Sequence, residues 1–342
     1  MVEGRPPKPT RRSTIADVAA RAGVDRAVVS RLLNADPRLS IRESTRQRVL
    51  DAIEELGYQP NAAARSLRTA RTRTIALLVP DYINPAYGEI IEGAEAAAAK
   101  VGCSLMTASL QAADDSFERY VERLGHGRVD GLLLAAGGVR GTREDELERL
   151  GLPWLCVNRT GPGRRRYVVL DDERAAALAV EHLVQLGHRR LAFISGPEDS
   201  DSARRRQLGH RSAIKAAGLA RGPVVHGNYT PRGGAEAMAK ILEAEQRPTA
   251  VLVANVASAT GALHTARRMG VRVPQDISVI AVHDLTVAPF LDPPLTTVRM
   301  ALDGLGARAV ELLLERAANA EIRETVREPT ELVIRESTAP PS

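Results

Sequence analysis

Residues 14–34 read TIADVAARAGVDRAVVSRLLN, and the fold turns on how that stretch divides. Thr14, with Asp17 three residues on, has the form of a capping box with an acid in a helix's first turn. Ile15, Val18, Ala19 and Ala22 then share one helical face. Gly23 supplies a turn. Asp25 can cap a second helix whose inner face is Val28, Val29, Leu32 and Leu33. Arg26, Ala27, Ser30 and Arg31 point the other way. Two short helices joined through a glycine turn have the geometry of a helix-turn-helix. The second helix of that motif carries its first side chains to base edges in the major groove. A third helix is expected next, opened by a second capping box of Ser40 and Glu43. Val49, Ala52, Ile53 and Leu56 face inward on it, and Gly57 ends it.

Working outward, Tyr58–Arg71 reads YQPNAAARSLRTAR. Pro60 breaks the preceding helix and Asn61 can cap another. Alanine and arginine favour helix, but the run of roughly eight residues that follows falls short of the roughly 12–15 an isolated helix needs. It is expected to become helical only against DNA and a second copy of the chain. Upstream, residues 1–12 are proline-rich and basic and read as a disordered arm.

Charge separates the head from the remainder. Residues 1–71 carry 14 Arg and Lys against 8 Asp and Glu, and the rest 33 against 34, which together give the net charge of +5. A basic head on a near-neutral body points to a polyanion partner for the head alone. Charge by itself is matched as well by a merely solvated basic terminus. Hydrophobic residues make up 44% of the chain and aromatics 3%, so the core is expected to be aliphatic. Cys103 and Cys156 stand apart in apolar runs and read as buried thiols of a reducing compartment. With no signal peptide and no apolar run of membrane length, the expectation is a soluble, cytoplasmic protein without a membrane partner.

From Thr74 onward the pattern changes. Apolar runs at 75–79, 104–108, 131–135, 154–157, 191–194, 250–254 and 278–282 alternate with helical stretches at 86–101, 116–125, 173–187, 235–245 and 259–269. Continuous Val, Leu and Ile strands between helices indicate parallel sheet covered on both faces. There are too many strands for one compact lobe, so two doubly wound lobes are expected. A further helix is expected over 302–315, then a strand in ELVIRES (331–337), with 338–342 as a frayed tail. No phosphate-binding G-x-x-x-x-G-K-S/T loop, G-x-S-x-G elbow, His-Glu-x-x-His pair or zinc-type cysteine pairing occurs. No enzyme, cofactor or metal site is therefore expected. His182 and His188 read as surface or capping residues.

TIADVAARAGVDRAVVSRLLN followed by TRQRVLDAIEELGYQPNAAARSLR (45–68) resembles the head and hinge of the lac-repressor (LacI/GalR) family of bacterial transcription regulators. Helix-turn-helix, third helix and hinge stand in the family's order and spacing. The resemblance implies a sequence-specific regulator, most often a repressor, that binds a pseudo-palindromic operator as a homodimer under control of a small-molecule effector. It places Arg26 and Ala27 at base-reading positions, where an arginine fork suits guanine. Ser30 and Arg31 would contact backbone or base. Thr14, Asn34, Asn61 and Ala64 join the DNA-contacting set. Leu67 matches the hinge leucine wedged into the minor groove, with Arg68 beside it; packing against the partner's hinge is the plainer alternative for Leu67. The chain departs from the family in having Asp25 where serine is usual and Val28 where threonine is common. Its loop before the third helix is about two residues longer.

The body resembles that of the same family, akin to periplasmic sugar-binding proteins, with a ligand cleft between lobes. The resemblance implies an arm over 1–12, a DNA-binding head over 13–58, a hinge over 59–72 and a body over 73–338. Lobe 1 would take about 73–170 and 299–328, and lobe 2 about 171–298 and 329–338. Effector contacts carry over to Asn84, Tyr87, Asn158, Leu170, Arg206, Asn255 and His283. Asn158, Val256 and His283 stand where relatives have acids, while Arg206 remains. An anionic effector, such as a sugar phosphate or carboxylate, is one reading. A neutral sugar held by Asp284 or another acid is a second, and a cleft that answers to a protein partner is a third. The reading from another class is a cytoplasmic ligand-binding or enzymatic protein with an incidental basic head.

Overall fold

The computed structural model describes residues 13–33, 36–59, 71–109, 127–136, 147–149, 151–160, 165–315 and 320–342. The chain divides into two units, 1–72 and 73–342. The expected helix at 116–125 and residues 60–70 of the expected 59–72 hinge lie outside the described residues.

In the first unit, α1 (Ile15–Ala22) starts at Thr14, whose side chain and Asp17 cap each other reciprocally. It stops at Gly23 with φ 63°, a left-handed conformation that a glycine adopts without strain. The helix α2 (Arg26–Leu33) follows, with the Asp25 carboxylate accepting from the Ala27 amide at 2.6 Å. The helix α3 (Glu43–Glu55) begins after Arg42, with no side-chain cap. The expected Ser40–Glu43 box does not form, because Arg42 rather than Ser40 occupies the cap position. Val18, Ala19, Ala22, Val29, Val49 and Ala52 make one small apolar core.

In the second unit the chain builds two sheets. The first holds β1 (Thr74–Val79), β2 (Ser104–Ser109), β3 (Gly131–Leu134), β4 (Trp154–Val157), β5 (Arg166–Leu170) and β11 (Ile322–Val326), in the order β11-β5-β4-β3-β1-β2 and parallel throughout. The second holds β6 (Leu191–Ser195), β7 (Val224–His226), β8 (Ala250–Val253), β9 (Ser278–Val282), β10 (Thr296–Met300) and β12 (Thr330–Val333), in the order β12-β10-β9-β8-β6-β7. Only β12 runs antiparallel there. The helices between strands are α4 (Ala86–Lys100), α5 (Asp172–Gln185), α6 (Asp201–Ala216), α7 (Pro231–Leu242), α8 (Val256–Arg268) and α9 (Leu302–Glu315). Strand β1 shows why its apolar run is continuous. Ile75, Leu77 and Val79 face one core, Ala76 and Leu78 another, so both faces are buried.

Three crossings join the lobes, after Leu170, Met300 and Val326. The second falls later than the 298–299 boundary because β10 continues, pairing Met300 with Thr330. Helix α7 starts at Pro231, ahead of the expected 235, since Thr230 caps it and the proline fits its first turn. The tail is not frayed. Ser337 is buried and donates to the Val279 carbonyl at 2.6 Å, while the Ala339 carbonyl accepts from His188 at 2.9 Å and Ser278 at 3.0 Å. His182 and His188 are correspondingly buried. Burial lowers both pKa values, for His182 with His188 contributing and for His188 against a bond to the Ala339 carbonyl. Cys156 is buried, whereas Cys103 is half-buried at the start of β2.

Helices α4 and α9 touch through glycine. A Cβ on Gly93 would lie 1.9 Å from the Asp303 carbonyl oxygen, and one on Gly306 would lie 2.0 Å from that of Ile90. Gly306→Ala should therefore lower stability by about 1–3 kcal/mol or more in urea unfolding, by forcing the helices apart. Gly88→Ala, on the same α4 but with nothing within 4 Å, should be neutral or stabilising by about 0.5–1 kcal/mol.

Candidate functional site

In the head, Arg26, Ala27 and Arg31 are exposed on α2, opposite the buried Val29. Ser30 is half-buried. Among the described residues no ion pair engages Arg26 or Arg31, so both guanidiniums are available to an external anion. Thr14 sits at the exposed N-terminus of α1, its hydroxyl donating to Asp17 at 2.7 Å. Asn34, Asn61, Ala64, Leu67 and Arg68 lie outside the described residues.

In the body, ligand sites of doubly wound sheets form at the carboxyl ends of strands, at the switch points of strand order. Here those switch points lie between β1 and β3 and between β6 and β8. Six of the sequence-predicted residues gather around the strands' carboxyl ends: Asn84 and Tyr87 beyond β1, Asn158 after β4, Leu170 ending β5, Asn255 after β8 and His283 after β9. Arg206 reaches the same region from α6. Two of these prove to be occupied by the fold itself. Leu170 is packed in the core. Asn255 caps α8, accepting from the Ser258 amide at 2.9 Å and donating to the Tyr229 carbonyl at 3.1 Å.

Arg206 is 2% exposed, and each of its nitrogens has a partner. Nε donates to Asp172 Oδ1 at 2.7 Å, Nη1 to the Ala254 carbonyl at 2.6 Å and Nη2 to His283 Nε2 at 2.9 Å. Asp172 is fully buried and also pairs with Arg205. Burial alone would raise the Asp172 carboxyl, but Arg206 and Arg205 outweigh it and hold the pKa below the ordinary range. His283 is held neutral, its pKa lowered to about 3 by burial first and by Arg206 second. Asp284 has partners within its own lobe. Its carboxylate is engaged by Thr297 at 2.7 Å, Arg299 at 2.8 Å and Arg335 at 2.7 Å.

The lobes meet at Thr160, which follows β4. Its amide and its hydroxyl each donate to an oxygen of Asp201, the first residue of α6, at 3.0 Å. Asp201 is bound in turn by Arg204 and Arg205. Tyr229 lies under Arg206, its ring 5.9 Å from the guanidinium carbon. Gly196 leaves room for that ring, since a Cβ there would come within 2.1 Å of it. Tyr87, from lobe 1, lies within electrostatic range of Tyr229, Asp81, Arg206 and Arg159. Burial, then Tyr229 and Asp81, raise its phenol well above the usual value. Asn158, Tyr229 and His283 all have positive φ, at 59°, 57° and 73°. Backbone strain of this kind clusters at functional sites.

Sequence reasoning missed Asp172, Arg205, Tyr229 and the Thr160–Asp201 contact. Asp172 and Asp201 each open a helix, and an acid there reads as an ordinary response to the helix dipole.

Geometry and topology together define a class: a helix-turn-helix head carried by a two-lobed binding body. Residues 14–61 match bacterial regulatory proteins of the lacI family, and residues 180–338 match a periplasmic binding protein-like domain. The ribose operon repressor of Escherichia coli strain K12 is 34% identical over 331 residues, covering 96% of this chain and 100% of that protein. The solved lac repressor dimer bound to operator and the anti-inducer ONPF aligns with a TM-score of 0.85 at 27% identity, covering 96% of this chain and 100% of that one. The transcriptional regulator CelR in complex with cellobiose aligns with a TM-score of 0.71 at 32% identity, covering 95% and 100%. The chain belongs to the LacI family of bacterial regulatory proteins. It is a DNA-binding transcriptional repressor with an effector-binding body and not an enzyme. The rival reading, with an incidental basic head, has no support among its relatives.

The buried pair of Arg206 and Asp172 leads to a stability prediction. Asp172→Asn leaves the buried Arg206 guanidinium without a counter-charge, while Arg205 keeps Asp201, and should destabilise the body by about 3–5 kcal/mol. Urea unfolding of the full chain, followed by circular dichroism, measures it.

Proposed function

We propose that this repressor acts as a homodimer in the cytoplasm, each α2 reading one half of a pseudo-palindromic operator, with a small-molecule effector controlling it from the interlobe cleft. The observation that carries the reading is the exposed Arg26–Ala27–Arg31 face of α2 on a head with its own small core. The absence among the described residues of any helix long and apolar enough to cross a membrane fits a cytoplasmic site of action. A dimer is supported by exposed apolar surface in the turn Ala288–Phe290, where Phe290 is 84% exposed beside Val287. The relatives named for ribose and cellobiose support a sugar-sized effector. Effector binding changes the angle between the lobes. That alters how closely two hinge segments approach over the operator, and so couples the cleft to DNA affinity.

Fluorescence anisotropy against operator and scrambled duplexes at two salt concentrations tests the core of this reading. Affinity should fall steeply with salt and retain a sequence preference at both concentrations. Binding that tracks charge alone would overturn it. Arg26→Ala should relax preference at one position of each half-site by about 1–3 kcal/mol. Leu67→Ala should weaken specific binding more than non-specific binding, because only the specific complex needs the kinked minor groove. Phe290→Asp should shift the chain toward monomer in sedimentation, with a parallel loss of operator affinity.

A further inference from the structure

We infer that the effector of this cleft carries an oxyanion, and that His283 selects for it by donating a hydrogen bond from Nδ1. The inference rests on the effector-controlled reading above and names the chemistry of that same cleft.

A guanidinium has donors only. The 2.9 Å contact between Arg206 Nη2 and His283 Nε2 therefore makes Nε2 the acceptor. The imidazole is neutral, and a neutral ring that accepts at Nε2 carries its proton on Nδ1. That N–H is buried and has no partner among the described residues. A buried donor left unmatched is costly. His283 stands at the carboxyl end of β9, where such sheets bind ligands, so the unmatched donor belongs to the site.

Other groups at the strands' carboxyl ends are donors as well. The Tyr87 phenol stays protonated and can donate. Arg159 donates to the Ala136 carbonyl, and its Nε is buried with no partner among the described residues. Three carboxylates of this region are already engaged: Asp172 by Arg205 and Arg206, Asp201 by Thr160 and two arginines, Asp284 by Thr297 and two arginines. Asp81 accepts from the amides of Ile83 and Asn84. A ligand whose hydroxyls need strong acceptors finds few here, and one that offers charged oxygens finds donors. Asn158, whose Oδ1 is likewise buried without a partner, remains for a hydroxyl. An oxyanion and a hydroxyl on one sugar-sized molecule describe a sugar acid or a sugar phosphate.

The test is isothermal titration of the full chain with two matched series: D-ribose, D-ribonate and D-ribose 5-phosphate; D-glucose, D-gluconate and D-glucose 6-phosphate. Operator anisotropy is measured with each compound. At least one anionic member should bind about tenfold or more tightly than its neutral parent, and which anion it is separates carboxylate from phosphate. His283→Asp should weaken that anion by about 100-fold or more through like-charge contact. His283→Asn should lose much less, since its amide can still donate. Both replacements tolerate the positive φ of this position, and a native circular dichroism spectrum with a cooperative urea transition shows that each variant folds. A neutral sugar that binds as tightly as its anionic partners, or an anion indifferent to His283→Asp, would overturn the inference. So would failure of every anionic member to bind. The effector reading then stands if a neutral sugar shifts operator affinity, and falls if none does.

Discussion

The second lobe is assembled around one buried ion pair, Arg206 with Asp172. Asp172 is the first residue of α5, two positions after β5 ends in lobe 1. The pair therefore fixes the chain at the point where it enters lobe 2. Burying two charges is favourable only when nearly every donor and acceptor is matched, and here the matching reaches outward. Arg206 also binds the Ala254 carbonyl and His283, Asp172 also binds Arg205, and Arg205 binds Asp201. Asp201 then accepts from Thr160 of lobe 1. A continuous polar chain thus runs from the strand ends of one sheet to those of the other. Both acids sit at helix N-termini, where the helix dipole adds to their stability. The positions that hold the lobes together are thus also those that surround the cleft.

How much of this was legible in the sequence depended on the range of the signal. Helix α9 matched its expected bounds, and β4 and β9 did too, because uninterrupted apolar runs between turn residues carry the information locally. The capping box at Thr14 and Asp17 was legible for the same reason. Helix α6, DSARRRQLGHRSAIKA, escaped notice: its buried face includes Ser202, Arg206, Gly209 and His210, which hydrophobic periodicity does not count. Arg206 itself was found through family resemblance, but its partner lies 34 residues away. Nothing in the sequence predicts that pairing, or predicts that Asp284 would turn to Arg299 and Arg335. Asn255, carried over as a ligand contact, also has a role in the fold that its sequence position did not reveal: it is engaged at both ends of its amide. The tail was misread because its anchors, His188 and Ser278, lie in segments more than 60 positions distant.

The helix pairs of the body explain how an aromatic-poor chain makes firm lobes. Gly93 and Gly306 bring α4 onto α9, Gly234 and Gly261 bring α7 onto α8, and Gly209 brings α6 onto α5, each with backbone against backbone. Contacts this close leave little freedom for one helix to slide past another, and the alanine-rich faces around them add dense packing in place of large rings. Motion is then confined to what is not packed this way, namely the three crossings and the contacts across the cleft.

That confinement bears on how a small ligand can control a distant head. A ligand shifts a conformational balance only by its differential affinity for the two states. If the lobes were soft, binding energy would dissipate into local adjustment of strands and helices. With rigid lobes, the groups that tell open from closed are those contributed from both sides: Tyr87, Asn158 and Thr160 from lobe 1, and Arg206, Asp201 and His283 from lobe 2. Three residues at this boundary hold left-handed backbone conformations without being glycine, and several of its polar atoms are buried without a partner among the described residues. Both features raise the energy of this arrangement and leave a ligand something to satisfy. The Thr160–Asp201 contact opposes them by holding the lobes together. A balance set by opposing terms of a few kcal/mol is what a single small molecule can tip.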